Sequence, residues 1–147
     1  MKYCEIFKTT NEFKILTHSI SKDGFGMISL PISILPNNCS QLDIFKEIEF
    51  CLNSSKNGIQ FPNSKEDYKL YINNILEKLN EKTLDSFYKK SKGCMLELDN
   101  KVLTIKPYVF VNPNKTKDGL IYDEKNIRQM NYSEKIINEI FEIINFQ

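Results

Sequence analysis

The sequence predicts an α+β domain: a mostly antiparallel sheet of about five to six strands with amphipathic helices packed on it. Along the chain, strand patterns are followed by helix patterns, then by strands, then by one last helix. In the stretch Cys94–Val111, two runs rich in aliphatic and β-branched residues flank the polar pair Asp99-Asn100, which is typical of a β-hairpin. Alternating βαβ units are absent, which argues against a doubly wound nucleotide-binding fold.

Size and composition indicate one globular domain, residues 1–147. A chain of 147 residues buries roughly 68–70% of its unfolded surface and can build its own core. Its formal net charge is +1, and only one of its basic residues, Arg128, is an arginine. Evenly mixed charges leave no electrostatic footprint for nucleic acid or an anionic membrane, so we expect neither partner.

The N-terminal residues and the cysteines predict a cytoplasmic protein. The first eight residues contain no apolar segment of the kind that a secretion signal requires. No apolar run approaches the ~20 residues that span a bilayer. The cysteines are widely scattered and are interpreted as reduced thiols, most of them in the core: Cys4, Cys39, Cys51 and Cys94.

Three strands are expected at the start of the chain. Tyr3–Phe7 and Phe13–Ile20 alternate between apolar and polar residues around Asn11, which predicts a hairpin. A third strand is predicted at Phe25–Ile34. Pro31 lies inside it and cannot donate a ladder hydrogen bond, so the strand either ends there or runs along an edge.

Three helices are predicted next, each after a residue that can cap its first turn. Ser40, with Asp43 three residues later, resembles a capping box and begins a helix that runs to about Asn53. Asn57-Gly58 is expected to end this helix. A second helix begins after Ser64 and a short third one after Thr83. The apolar stripe of the second helix consists of Tyr68, Tyr71, Ile72, Ile75, Leu76 and Leu79.

The C-terminal third is expected to complete the sheet and cover it. Pro107 should lie at a bulge or on an edge, Asn112–Gly119 is a loop, and Leu120–Tyr122 is a short strand. Asn131, with Glu134 three residues later, predicts the start of a last helix that docks on the sheet. Proline blunts an edge strand, so we expect a monomer when the protein is free.

The sequence predicts no catalytic residue, no metal site and no cofactor. His18 is the only histidine and has no ligands at zinc spacing, so it is interpreted as a half-exposed strand residue rather than a general base. Cys39 or Cys51 could act as a nucleophile only if His18 approached it. A metal-dependent nuclease remains an alternative, because Glu12-Phe-Lys14 and Asp99-Asn-Lys101 loosely match an acidic-x-Lys triplet.

Two stretches carry a resemblance to a known family. Gly24–Pro31 reads Gly-Phe-Gly-Met-Ile-Ser-Leu-Pro, and Leu42–Lys56 is an amphipathic helix pattern that closes in Ser-Ser-Lys. A strand that ends in aliphatic-Leu-Pro, followed by such a helix, resembles immunity proteins of bacterial contact-dependent growth inhibition systems (CdiI type). The later hairpin and C-terminal amphipathic helix follow the same order.

The resemblance implies a cytoplasmic protein that binds and blocks the C-terminal toxin domain of a cognate partner, often a nuclease. Such a protein needs no catalytic residue, and its specificity comes from the match of shape and charge. A nuclease site is basic, so a local acidic patch is expected to contact it, and we assign Asp118, Asp123 and Glu124 to this patch. A generic structural or adaptor domain is the other alternative.

Overall fold

Eight strands form one sheet in the computed structural model, which describes residues 1–144. The strands are β1 Lys2–Lys8, β2 Glu12–Ser21, β3 Gly26–Pro36, β4 Asn57–Ile59, β5 Lys92–Asp99, β6 Val102–Phe110, β7 Leu120–Tyr122 and β8 Arg128–Asn131. The helices are α1 Gln41–Ser54, α2 Lys65–Leu79, α3 Leu84–Lys89 and α4 Ile136–Ile144, with two 3₁₀ turns at Thr116–Asp118 and Glu124–Asn126.

The sheet has the strand order β3-β2-β1-β5-β6-β7, with β4 beside β2 and β8 beside β6. Every pairing is antiparallel except the short parallel contact between β2 and β4. The predicted α+β class and its mostly antiparallel sheet are therefore confirmed. The additional short strands, β4 and β8, were not expected. The described helices include none long and apolar enough to cross a bilayer.

One face of the sheet carries the main core, under α1 and α4. Residues of β1 alternate between the two faces, so Cys4 and Ile6 point into this core. The buried residues of this cluster from the two helices are Ile44, Ile48, Cys51, Leu52, Ile136, Ile137, Ile140 and Ile144. Docking of the last helix is thus confirmed.

The opposite face is covered by α2 and α3 in part. Phe7 and Leu16 of the sheet pack there against Ile75, Leu79 and Phe87 of the two helices. Further along the same face, side chains such as Glu97 and Lys106 remain partly exposed. The face that carries Glu5 is therefore half core and half open surface, and the candidate site lies at this boundary.

The two prolines inside strands have different surroundings. Pro31 lies in β3, which is an end strand of the sheet, so its predicted edge position is confirmed. Pro107 pairs in regular register with Cys94 of β5, so no bulge interrupts that pairing. On its other side β8 pairs only as far as Ile105 and β7 only from Tyr108, so Pro107 has no strand partner there and the predicted edge position is confirmed locally. Its carbonyl accepts from the backbone N–H of Asp123, 2.7 Å away, in the gap between β7 and β8. Its missing N–H faces the same gap, since both groups of a strand residue point to one side.

The predicted helix starts are confirmed up to α3 and wrong at α4. Ser40 and Asp43 form the expected capping box, and Ser64 and Thr83 cap α2 and α3. Asn131 instead ends β8, paired with Val102, and α4 begins five residues later. Strand pairing, a long-range contact, overrides the local capping signal here.

Two turn assignments shift. Asn57-Gly58, expected to end the first helix, belongs to β4. The central hairpin turns at Asn100-Lys101, one residue later than expected, and Asn100 has the positive φ of 55° that such a turn requires.

Candidate functional site

The candidate site is built around a buried carboxylate, Glu5, in the middle of β1. Only 5% of Glu5 is exposed, and its side chain points to the face covered by α2 and α3. Its cross-strand neighbours are Leu16 on β2 and Met95 on β5, both buried. A carboxylate in such surroundings requires hydrogen-bond donors to offset its lost hydration.

Two side chains from distant parts of the chain supply those donors. His18 places Nδ1 3.0 Å from Oε1 of Glu5, and the Tyr108 hydroxyl donates to Oε2 over 2.9 Å. His18 lies on β2 beside Tyr3 in the register, whereas Tyr108 lies on β6, 103 residues after Glu5. Both carboxylate oxygens of Glu5 are therefore satisfied.

Glu5 and His18 line a cavity with a volume of about 330 Å³. Tyrosines and aliphatic side chains form its other walls. The Tyr71 hydroxyl donates to the carbonyl of Ile28 over 2.6 Å, which fixes α2 to β3. Burial, together with the negative charge of Glu5, raises the pKa of Tyr88 and of Tyr108, so both phenols stay neutral at physiological pH. The lining residues are Glu5, His18, Gly26, Met27, Ile28, Phe61, Tyr68, Tyr71, Ile72, Leu84, Tyr88, Tyr108 and Leu120.

Gly26 gives the imidazole room. A Cβ added at Gly26 would lie 2.5 Å from Nε2 of His18, so any larger residue would push the ring away from Glu5. Gly24 and Gly26 have different roles. Gly24 occupies a turn with φ of 86°, while Gly26 clears space for the histidine.

An aromatic run leads from the protein surface into the cavity, and we call it the aromatic mouth: Phe25, Phe61, Tyr68 and Tyr71. Successive ring centroids are 5.8, 6.2 and 6.1 Å apart. Phe25 is 59% exposed and Tyr68 is 47% exposed, whereas Tyr71 is half-buried. The stripe predicted for the second helix is therefore split, because only Ile75 and Leu79 at its C-terminal end are buried.

The three acidic residues assigned to partner binding flank β7. Asp118 ends the first 3₁₀ turn and lies 3.8 Å from Lys115, and Asp123 accepts from the side chain of Asn126 over 2.6 Å. Glu124 is exposed and begins the second 3₁₀ turn. The structure places the three on one surface segment, and their role in partner binding remains a prediction.

The alternative chemistries find little support in the geometry. His18 contacts Glu5 rather than Cys39 or Cys51, and burial raises the pKa of both thiols. The described residues contain no group of three or more His, Cys, Asp or Glu side chains that could hold a metal ion. Of the two triplets, Asp99-Asn-Lys101 forms the exposed hairpin turn and Glu12-Phe-Lys14 contains a fully buried lysine.

Sequence reasoning missed Glu5 and Tyr108 as members of a site. A charged residue between Cys4 and Ile6 was a usable signal, because a strand buried on both faces has little room for an unpaired carboxylate. Nothing in the sequence linked it to a tyrosine on the far hairpin, since that contact depends on β5 lying between β1 and β6.

Comparison with known proteins finds similarity in fold alone. No protein-family model matches the sequence, and no curated protein matches it either. A chain of the CdiA-CT/CdiI toxin and immunity complex from Yersinia pseudotuberculosis has the same fold. Its TM-score is 0.68 at 11% identity, over 98% of this chain and 95% of that one. A Neisseria meningitidis protein of unknown function gives a TM-score of 0.69 at 16% identity, and the match covers 97% of this chain and 92% of that one. At such identities the likeness establishes a shared fold.

Proposed function

We propose that this chain is an immunity protein that binds and neutralises a cognate toxin domain of a contact-dependent growth inhibition system. The observation that carries the proposal is the fold shared, over nearly the full length of both chains, with a chain of a toxin and immunity complex. In this proposal the chain acts in the cytoplasm, is monomeric when free, and itself catalyses no reaction. The toxin domain, a nuclease in our proposal, is its partner.

The aromatic mouth supports a surface for protein binding. Aromatic side chains are enriched among the residues that dominate binding energy at protein interfaces. Phe25 and Tyr68 present large apolar areas to solvent. Tyr68 lies on α2, and the backbone of Phe25, in the turn before β3, is held by hydrogen bonds to Ser21. A pre-formed surface loses little entropy on binding, which favours a tight complex.

A hydrolase in which His18 acts as a general base is the second candidate function, since one observation favours it. The contact between Glu5 and His18 resembles the pair that orients an imidazole in many hydrolases. Among the described lining residues of the cavity, however, none is a Ser, Thr or Cys that could serve as the nucleophile. The geometry therefore supports binding better than catalysis.

The toxin test is the most direct one. We expect the gene directly upstream to encode a large exoprotein. The protein is mixed with the C-terminal domain of that exoprotein, and the two are expected to co-purify and to bind at micromolar concentration or below. Phe25→Ala should weaken binding at least about tenfold, because it removes an exposed aromatic anchor. The matched control is Phe50→Ala, since Phe50 is 56% exposed but lies on α1, across the sheet.

Failure of the wild-type protein to bind that domain at micromolar concentration would refute the immunity function. Equal binding by the Phe25 variant and the wild type would leave the function intact and remove the aromatic mouth from the interface. Binding that is lost in the Phe50 variant alone would move the interface to the α1 face.

The acidic segment gives a separate prediction. Neutralising it with Asp118→Asn, Asp123→Asn and Glu124→Gln together should slow association with a basic toxin domain several-fold. The effect should shrink at high salt, because screening weakens interactions between exposed charges. Stopped-flow or surface-plasmon measurement of the association rate at two ionic strengths checks this. An unchanged rate at low salt would exclude these residues from the interface.

A further inference from the structure

The cavity at Glu5 combines one carboxylate with aromatic walls. Among the described residues that line it, Glu5 is the single acidic side chain, and no Lys or Arg is present. Glu5 contacts the imidazole of His18 through Oε1 and accepts from the hydroxyl of Tyr108 through Oε2. The cavity thus holds a negative charge that no lysine or arginine of the described lining neutralises.

The lysines on the same face of the sheet are engaged elsewhere. Lys106 lies 2.6 Å from Glu97 and 5.0 Å from the ring centroid of Tyr122. Lys14 is buried beneath α2, where it contacts Glu81 at 2.5 Å and the carbonyl of Leu79 at 2.6 Å. These two pairings account for both cations, and neither lysine lines the cavity.

The tyrosine rings that line the cavity favour a bound cation. The faces of Tyr rings carry a negative quadrupole, and a cation within about 6 Å of such a ring is attracted to it. Burial keeps the phenol of Tyr108 neutral, and the same holds for Tyr71 and Tyr88, whose pKa values burial also raises. Aromatic rings and one carboxylate are the usual components of sites that recognise ammonium or guanidinium groups.

We propose that the cavity at Glu5 binds an alkyl cation, a primary ammonium or a guanidinium group. We further assign the bound group to a lysine or arginine side chain of the toxin domain, and this assignment rests on the function proposed above. The cavity volume of about 330 Å³ lies at the small end of the range for ligand sites, roughly 300–1,000 Å³, and suits one extended side chain. An anion is disfavoured by Glu5.

The toxin-independent test uses the only histidine as a reporter. The chain contains one His, so its imidazole resonances in a heteronuclear NMR spectrum belong to His18. Titration of the full-length protein with n-butylammonium or N-butylguanidinium chloride should give a saturable shift of these resonances, at millimolar concentration. n-Butanol, a neutral analogue of similar shape, and sodium chloride at matched ionic strength should give none.

Glu5→Gln keeps the shape of the side chain and removes its charge, so it should weaken cation binding about tenfold or more. The matched control is Glu49→Gln, since Glu49 also accepts from a tyrosine hydroxyl, that of Tyr132, but lies outside the cavity. Tyr68→Leu changes an exposed wall residue, so it should fold even if Glu5→Gln does not. It should weaken binding several-fold.

The outcomes separate the two proposals. Absence of a saturable shift with either cation, or an equal shift with n-butanol, overturns the cation site whether or not the toxin binds. Where the cations bind, Glu5→Gln should also weaken the toxin complex at least tenfold, and n-butylammonium should compete with the toxin. A cation site with an unaffected toxin complex would make the occupant a free small amine and overturn its assignment to the toxin. If the wild-type protein binds the cations but not the toxin domain, the immunity function is refuted and the cation site stands.

Discussion

Replacing Lys14 with methionine is expected to lower the free energy of unfolding by about 3 kcal/mol. The Lys14 side chain is 1% exposed, and its ammonium group donates to the carbonyl of Leu79 and to the carboxylate of Glu81. Methionine retains most of the aliphatic stem, but it cannot donate to the Leu79 carbonyl or to the Glu81 carboxylate. Both acceptors therefore lose a buried hydrogen-bond donor. Urea unfolding followed by circular dichroism measures the change.

Lys89→Met is the matched control. Lys89 lies 3.2 Å from Asp85 in the same kind of ion pair, but it is exposed, so its loss should change stability by less than about 0.5 kcal/mol. Similar losses for the two variants would show that the burial of Lys14 contributes nothing beyond an ordinary surface pair.

The same ion pair predicts how stability depends on pH. Burial alone would raise the pKa of Glu81, but hydrogen bonds from Lys14 and Lys90 outweigh it and hold the pKa below its ordinary value. A carboxyl whose pKa is lowered on folding stabilises the protein above its unfolded pKa of about 4.3. That contribution is lost as the pH falls through the folded value. The Lys14 variant should therefore lose less stability than the wild type between pH 5 and pH 3.

Replacing Gly93 with alanine is expected to destabilise the fold by about 2–3 kcal/mol. Gly93 is buried in β5, directly opposite Phe7 of β1. A Cβ at this position would lie 2.8 Å from the backbone carbonyl oxygen of Ile6 and closer still to the Phe7 ring. The Phe7 ring cannot move freely, because it packs against Phe87 and Tyr108 at centroid distances of 5.0 and 5.7 Å.

Gly58→Ala separates this steric effect from backbone strain. Gly58 has a φ of 77° and nothing within 4 Å of its added Cβ, so only the left-handed backbone opposes alanine there, at about 1 kcal/mol. The double variant Gly93→Ala with Phe7→Leu should lose less free energy of unfolding than the two single variants lose in sum, because the smaller side chain at position 7 leaves space for the added methyl group. Strict additivity, or equal losses at Gly93 and Gly58, would contradict the steric explanation.

The local elements could be predicted because short-range chemistry decides them. The strand at Phe13–Ile20 follows from alternation, and the helix after Ser40 follows from a capping box whose two hydrogen bonds lie within four residues. The same local rule failed at Asn131, where the chain pairs with β6 instead. Local patterns are decisive only where no long-range pairing competes with them.

The amino-acid sequence by itself determined the α+β class, the hairpins and the caps of the first three helices, since these depend on residues a few positions apart. Only the tertiary structure decided the candidate site. Glu5 meets His18 through the pairing of β1 with β2, and it meets Tyr108 across the intervening strand β5. Lys14, which the sequence suggested for catalysis, is instead held by Glu81, 67 residues away. Such contacts depend on which strands lie side by side. The alternation of side chains along one strand constrains the face that is buried and the register, but it does not specify the neighbouring strand.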